Sequence, residues 1–541
     1  MKRRFLVILI ACACIVGCRG SSALPAGSFP QAGQAEGTQA GGIPVSPDTN
    51  VNELPEPPVV RPVHGVATVQ LIADINPATG LPGFQYAGIH GVAPTIELQP
   101  GQRFVIDLTD ELPASGGLAS DMNLHFHGMG SAPKRPGDDV LGVLAKPGQM
   151  LHYEVVVPPN QEPGLYWYHP HVHGETSFQV GEGGMSGAIV VDGIEKHFPA
   201  LAKMRHRLII VRATGIGINA PPEDDDVDAV PAETSADGMA GMPMATARPL
   251  NSNTHPCDFN DHLTVSLNGA YQPDITIAPG EKQFFRVINA TGHKTLKLNV
   301  EGENVQLVAV DGYALDTYPG TGPTETLPYI VVPPAARAEF IVTGPKSGHG
   351  RFRTLCYNTG PNGDPDVETF LAHLVAPKHK VPGGYFSNQP LAVGSPLPRN
   401  YYTQKLPTPV TKRLVVFSED NKPHFFINGK SFTMKSPPMF VVHVGTTEEW
   451  HIVNVTEEIH DFHIHQLHFL VESINGVKLQ HPYWADSVVL PHRYMVGTKS
   501  VPGQIVAIMN FLDPIIRGEF LFHCHILDHE DEGMMAKIEA I

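Results

Sequence analysis

A chain of 541 residues is too long for one hydrophobic core and predicts three or so domains at the roughly 100–200 residues usual for one. Lysine and arginine number 37 against 54 aspartates and glutamates, a net charge of −17 that argues against nucleic acid, which wants a basic face. Glycine (53) and proline (51) are both abundant, which favours a turn-rich all-β architecture over a helical one.

In chain order, residues 1–18 read as an export signal. Lys2, Arg3 and Arg4 precede an apolar run, Phe5 to Val16, too short to span a bilayer comfortably. Ile15-Val16-Gly17-Cys18 then resembles the lipobox of bacterial lipoproteins, which predicts lipid attachment at Cys18 and an address in the bacterial cell envelope or periplasm. A plain secretory peptide and a twin-arginine signal at Arg3-Arg4 are the alternatives. Residues 19–61 are small, polar and proline-rich, and read as a flexible tether. A second low-complexity stretch, about 219–256, holds an acidic run from Glu223 to Asp226 and the trio Met239, Met242 and Met244; it reads as a surface insertion. Of the cysteines, Cys12, Cys14 and Cys18 lie in the export segment, while Cys257 and Cys356 could pair in an oxidising compartment.

Between these stretches runs an internal repeat. Residues 88–112, 266–291 and 426–456 share a design: a glycine after a short strand, an alternating strand, a turn on Gly101, Gly280 or Gly445, and a strand of period two. Three copies imply three similar all-β domains, near 62–196, 204–378 (with the insertion) and 408–541.

Four short motifs carry the chemistry: Leu124-His125-Phe126-His127-Gly128, Trp167-Tyr168-His169-Pro170-His171, His460-Asp461-Phe462-His463-Ile464-His465, and the run from His523-Cys524-His525 through His529 and Glu530 to Met534. Each contains His-x-His, and residues i and i+2 of a strand point to one face. Each motif can therefore aim two imidazoles at one site. Imidazole suits copper, zinc, iron and nickel; the fourth motif selects among them. Cys524 points away from the face shared by His523 and His525. A thiolate, two further imidazoles (His460 and His529) and the thioether of Met534 make the donor set of a blue-copper electron-transfer site.

These four motifs resemble the multicopper oxidase family, in its three-domain, laccase-like branch, and the repeats extend the resemblance over nearly the whole mature chain. The resemblance implies three cupredoxin-like Greek-key barrel or sandwich domains and four coppers. It implies a type-1 copper on His460, Cys524, His529 and Met534, and a type-2 copper on His125 and His463. Two type-3 coppers would take His127, His169 and His525, and His171, His465 and His523. In the second domain Leu296 and Leu298 stand where the third has His463 and His465, so that domain reads as a spacer that also shapes the substrate site. The further histidines His173, His468, His443 and His451 are not assigned to metal.

The activity so implied is one-electron oxidation of a small reducing substrate, coupled through Cys524 to four-electron reduction of dioxygen to water. Glu530 and Asp138 match the carboxylates of a proton relay, with Asp139 nearly as good as Asp138. For the substrate, phenols and aromatic amines come first. Oxidation of cuprous or other metal ions is the alternative. A non-catalytic copper-binding envelope protein is a third reading, disfavoured because all twelve ligand positions are filled. Copper nitrite reductase also pairs a blue copper with a type-2 copper, but usually with two domains and fewer histidines. Beyond dioxygen and substrate, the one membrane contact expected is the lipid anchor.

Overall fold

The computed structural model describes residues 52–541 apart from 115–119, 215–263, 320–323, 365, 379–382, 398 and 421–423. The export segment, the methionine trio, the acidic run and Cys257 lie outside the described residues. Cys356 is disulfide-bonded. No helix among the described residues is long and apolar enough to cross a membrane.

The regular structure of the described residues is almost entirely β, laid out as three consecutive pairs of sheets, with a small two-stranded ribbon, Tyr494–Val496 and Lys499–Val501, falling within the third in sequence. The repeat predicted from residues 88–112, 266–291 and 426–456 appears in each pair as the same parallel crossover. Val66–Ile75 runs parallel to Arg103–Asp110, Arg205–Thr214 to Lys282–Asn289, and Thr411–Glu419 to Thr446–Asn454. Gly101, Gly280 and Gly445 each take a positive φ at the turn before the second of these strands, where a side chain is disfavoured. Alternation does the rest. In Arg103–Asp110 every second residue is buried, and Phe104, Ile106 and Leu108 enter the core of the first pair. The second and third pairs have separate cores around Phe285, Phe340 and Phe352, and around Trp450, Phe462 and Phe522.

The second sheet of each pair presents an equivalent strand. In the third pair it is His460–Ile464, flanked by Gly518–Cys524 and Ser487–Leu490. In the second it is Leu296–Val300, flanked by His349–Leu355 and Ile330–Val332. In the first it is His125–His127, beside Gly164–His169. Leu296 and Leu298 point into the core of the second pair, the face that Phe462 and Ile464 take in the third, so they do not stand in the places of His463 and His465 as the sequence suggested; the opposite face of that strand carries the half-buried Lys297 and Asn299.

The tether expected over 19–61 ends earlier than the sequence suggested. Leu54 is buried in the core of the second pair. Glu53 meets the buried Arg207 at 2.8 Å, and Val59–Val60 pairs in parallel with Thr95–Leu98. The prolines that suggested a linker are tolerated because this strand lies at a sheet edge.

If Leu296 is core rather than a ligand position, Leu296→Ala should destabilise the metal-free chain by about 2–5 kcal/mol. Denaturant unfolding followed by circular dichroism measures this. A cost below about 0.5 kcal/mol, the usual range for surface changes, would contradict the packing role.

Candidate metal centre

Strand pairing brings the four motifs together. In the first pair His125 lies opposite His169, and His127 opposite Trp167. In the third pair His463 lies opposite His523, and Phe462 opposite Cys524. Period two sends His463 and His523 to the outer face of their sheet, and Phe462 and Cys524 to the inner one. The two histidine-bearing faces meet, and eight imidazoles form one buried cage: His125, His127, His169, His171, His463, His465, His523 and His525. His125 stacks on His465 with centroids 3.8 Å apart, and His127 on His463 at 4.0 Å.

The hydrogen bonds of the rings fix which nitrogen faces inward. Nδ1–H of His169 donates to the Pro170 carbonyl at 2.8 Å, that of His463 to the Asp486 carbonyl at 2.8 Å, and that of His523 to the Cys524 carbonyl at 2.9 Å. Nδ1–H of His125 donates to Asp138 at 2.9 Å. His127 is turned the other way, its Nε2–H donating to Asp486 at 3.0 Å. The opposite nitrogens of His125, His127, His169 and His463, and both of His525, are buried without a partner. The Nε2 atoms of His171 and His465 each lie 3.2 Å from Nε2 of His523. Burial above all holds His127, His169, His463, His465 and His525 well below the usual histidine range, and lowers His171 to about 4. At neutral pH those six rings are therefore neutral, and their lone pairs face a dry interior. A group that fits this must be cationic and accept imidazole nitrogen.

Donor groups within the cage that lie close enough to hold an ion include three made of histidine alone: His127, His169 and His525; His171, His465 and His523; and His125, His127 and His463. Another group, His460, Cys524 and His529, stands apart, inside the third core. Nδ1 of His460 and Nδ1 of His529 are 3.1 Å from each other and each 3.7 Å from Cys524 Sγ. Met534 is buried in the same cluster as Cys524. Burial pushes the Cys524 thiol up, and the Asp461 N–H donates to its sulfur at 3.4 Å. Outward, Thr456 Oγ1 lies 3.1 Å from His460 Nε2, and Glu458 Oε1 3.5 Å from His529 Nε2.

The predicted carboxylates are both at the cage. Asp138 is fully buried, accepts from His125, from the Phe126 N–H at 3.2 Å and from Gln466 at 2.9 Å. Asp139, equally good by sequence, instead accepts from the Gly142 N–H in its own turn. Glu530 is buried with Oε2 3.1 Å from His523 Nδ1 and Oε1 3.5 Å from His171 Nε2. Of the histidines left unassigned, His468 donates from Nε2 to the Asp311 carbonyl, His173 packs edge-on to Phe432, His451 meets Glu449, and His443 is exposed. Sequence reading missed Asp486, Ser487, Gln466, Arg337 and Glu458. None sits at a motif spacing; the one signal is the polar Asp486-Ser487 step opening an otherwise apolar strand.

Three models of one family, multicopper oxidase, match residues 86–196, 206–375 and 405–540. The chain belongs to the multicopper oxidases. As a member it is a copper-binding oxidoreductase that uses dioxygen and a reducing substrate. Its relatives include the multicopper oxidase mco of Staphylococcus aureus, 26% identical over 83% of this chain and 82% of that one. The laccase of Bacillus subtilis is 25% identical over 90% and 98%. In fold it resembles a multicopper oxidase from Campylobacter jejuni, described as a metallo-oxidase, with a TM-score of 0.65 and 22% identity over 90% of this chain and 96% of that one. It also resembles a laccase-like multi-copper oxidase from an Ochrobactrum species, with a TM-score of 0.63 and 20% identity over 90% and 100%.

Because Asp138 alone of the two neighbours holds the His125 ring, Asp138→Asn should weaken copper at His125 by about 10–100-fold, while Asp139→Asn leaves it unchanged. Competition with a chelator, read by copper per chain and electron paramagnetic resonance, separates the two; equal effects would remove the distinction.

Proposed function

We propose that the chain couples one-electron oxidation of a small reducing substrate, of the phenol or aromatic-amine class, to four-electron reduction of dioxygen to two waters. In this reading three coppers occupy the imidazole cage, with His125 and His463 as type-2 ligands. His127, His169 and His525 hold one type-3 ion, and His171, His465 and His523 the other. His460, Cys524, His529 and Met534 hold the type-1 ion. The observation that carries it is the inward orientation of ring nitrogens that no hydrogen-bond donor satisfies. Bound copper supplies the one-electron redox chemistry and the affinity for dioxygen.

The chain's own residues do the remaining work. Cys524 ends the strand Gly518–Cys524 and sits in sequence between two cage histidines, so the substrate-side site is a single residue of backbone from the cage. Asp138 and Glu530 lie beside different rings of that cage and are placed to hold or pass protons there. Burial keeps bulk water from the dioxygen side. The three sheet pairs serve as three domains, near 62–196, 204–378 and 408–541. Export, and lipid attachment at Cys18, belong to the same proposal.

A second reading, oxidation of a metal cation, is favoured by the edge of the thiolate site. Glu458 lies beside His529 and forms a carboxyl pair with Glu419, with Asp364 close enough to add its charge. Burial first, and those two acids next, push Glu458 up to about 9. A cation bound there would be held by acids at the ring through which electrons enter.

Oxygen uptake by the copper-loaded chain with a phenol tests the oxidase reading. Cys524→Ser should abolish both uptake and the intense blue band, and His125→Ala should abolish uptake while leaving a reducible blue site. Copper binding without uptake by the wild-type chain would support the envelope-protein alternative. Glu458→Gln divides the substrate classes. It should raise KM for Cu(I) at least several-fold and leave KM for a neutral phenol unchanged if cations are the substrate. Unchanged KM for both would leave the phenol reading.

A further inference from the structure

The middle sheet pair gives no donor to either metal centre, yet one of its side chains reaches the cage. Arg337, on the strand Arg337–Thr343, is fully buried. Its Nη1 and Nη2 donate to Oδ1 and Oδ2 of Asp486 at 2.7 and 2.6 Å, the two-pronged geometry that fixes a carboxylate in orientation as well as place. Nε donates to the Leu165 carbonyl in the first sheet pair at 3.2 Å, and Nη2 to the Asp311 carbonyl at 3.1 Å. Asp486 is pinned from its other side, where its backbone N–H donates to Asp311 Oδ2 at 3.0 Å. All three sheet pairs thus meet at one carboxylate.

That carboxylate holds His127. Its Oδ1 accepts from His127 Nε2 at 3.0 Å, and Ser487 Oγ lies 3.3 Å from the same nitrogen. An imidazole that donates from Nε2 keeps its lone pair on Nδ1. Nδ1 of His127 is the nitrogen buried without a partner, among the donors of His169 and His525. His169, His463 and His523 have the reverse tautomer, set by nearby backbone carbonyls. His127 depends on a side chain distant in sequence. Gly128, the residue after it, shows how tightly this is packed. At a φ of +78°, a Cβ there would lie 2.7 Å from Asp486 Oδ2 and collide with Arg337 Nη2. The glycine of Leu124-His125-Phe126-His127-Gly128 is what lets the ion pair close over the ring.

We propose that Arg337 and Asp486 are positioning residues that set the tautomer and ring orientation of His127. Through them the middle sheet pair governs copper affinity at the His127, His169 and His525 site. The affinity half rests on the copper reading above; the tautomer half does not.

The test uses the full chain with 15N-labelled histidine. Two-bond proton–nitrogen correlation spectra of the metal-free protein report each tautomer, and His127→Gln assigns the His127 signals. Wild type should show Nε2–H at His127. Arg337→Lys keeps a cation but loses the fork, and Asp486→Asn loses the charge. Both should shift His127 toward a mixture with Nδ1–H. After copper loading, both should lose about 10–100-fold in affinity at the cage while the blue band of the thiolate site persists. Asp486→Glu should recover part of that loss. Retention of pure Nε2–H and wild-type affinity in Arg337→Lys overturns the proposal, and this variant decides if Asp486→Asn does not fold. Wild-type protein that takes up no copper would defeat the copper reading, and the metal-free spectra would still judge the tautomer.

Discussion

The constraint on which this structure turns is the burial of eight imidazoles whose free nitrogens face one another. A buried polar group without a partner costs about 1–3 kcal/mol. Here several such atoms converge, from His125, His127, His169, His463 and His525. The ring protons of His125, His127, His169 and His463 do not relieve them, being directed outward to Asp138, Asp486 and backbone carbonyls. The faces that carry these rings form the contact between the first and third sheet pairs. Metal binding and the contact of those two pairs are therefore linked: each of the three histidine groups draws rings from both pairs, so a cation held by any of them would tie the first pair to the third.

The middle pair earns its place in that event differently. It repeats the parallel crossover of its neighbours, and on its equivalent strand the face opposite the core carries Lys297 and Asn299 rather than histidines. Its backbone comes close to the first pair: a Cβ on Gly164 would lie 2.5 Å from the Cα of Gly312. Its Asp311 and Arg337 reach into the third, onto Asp486 and His468. A third body packed against both ligand-bearing pairs limits their freedom to separate when the cage is empty. The reading of this pair as a spacer that shapes the substrate site, drawn from its missing histidines, did not include these contacts at the cage.

Much of the centre was legible because strands convert sequence spacing into direction. His-x-His at period two says that both rings share a face, and His-Cys-His says that the thiolate faces the other way. The three repeats announced themselves through the glycines before each second strand. What stayed hidden has a common physical form. Asp138 and Asp139 are adjacent, equally acidic and in one turn; which of them meets His125 depends on how that turn closes, with Asp139 taken up by Gly142. Arg337 and Asp486 are 149 residues apart and belong to different sheet pairs, so no local pattern links them. Glu458 and Glu419 were similarly invisible, since an acid's neighbour across a fold leaves no periodicity. The tether misread at residues 52–61 reversed the error: prolines signalled a linker, whereas an edge strand tolerates them.

Cys524 shows how one strand serves two centres. His523 and His525 face the cage, while Cys524 faces the core shared with Phe462 and Met534. Burial raises the thiol, so ionisation there is unfavourable until a cation arrives. The same burial removes competing water and leaves the amide of Asp461 as a donor to the sulfur. Alternation forces the separation of the two sites, since no strand can aim adjacent residues at one ion. It also makes their covalent connection as short as a polypeptide allows. A helix would place residues 523 and 525 about 200° apart, and no such shared face would exist. The choice of a β framework and the pairing of the two centres are therefore consequences of the same period.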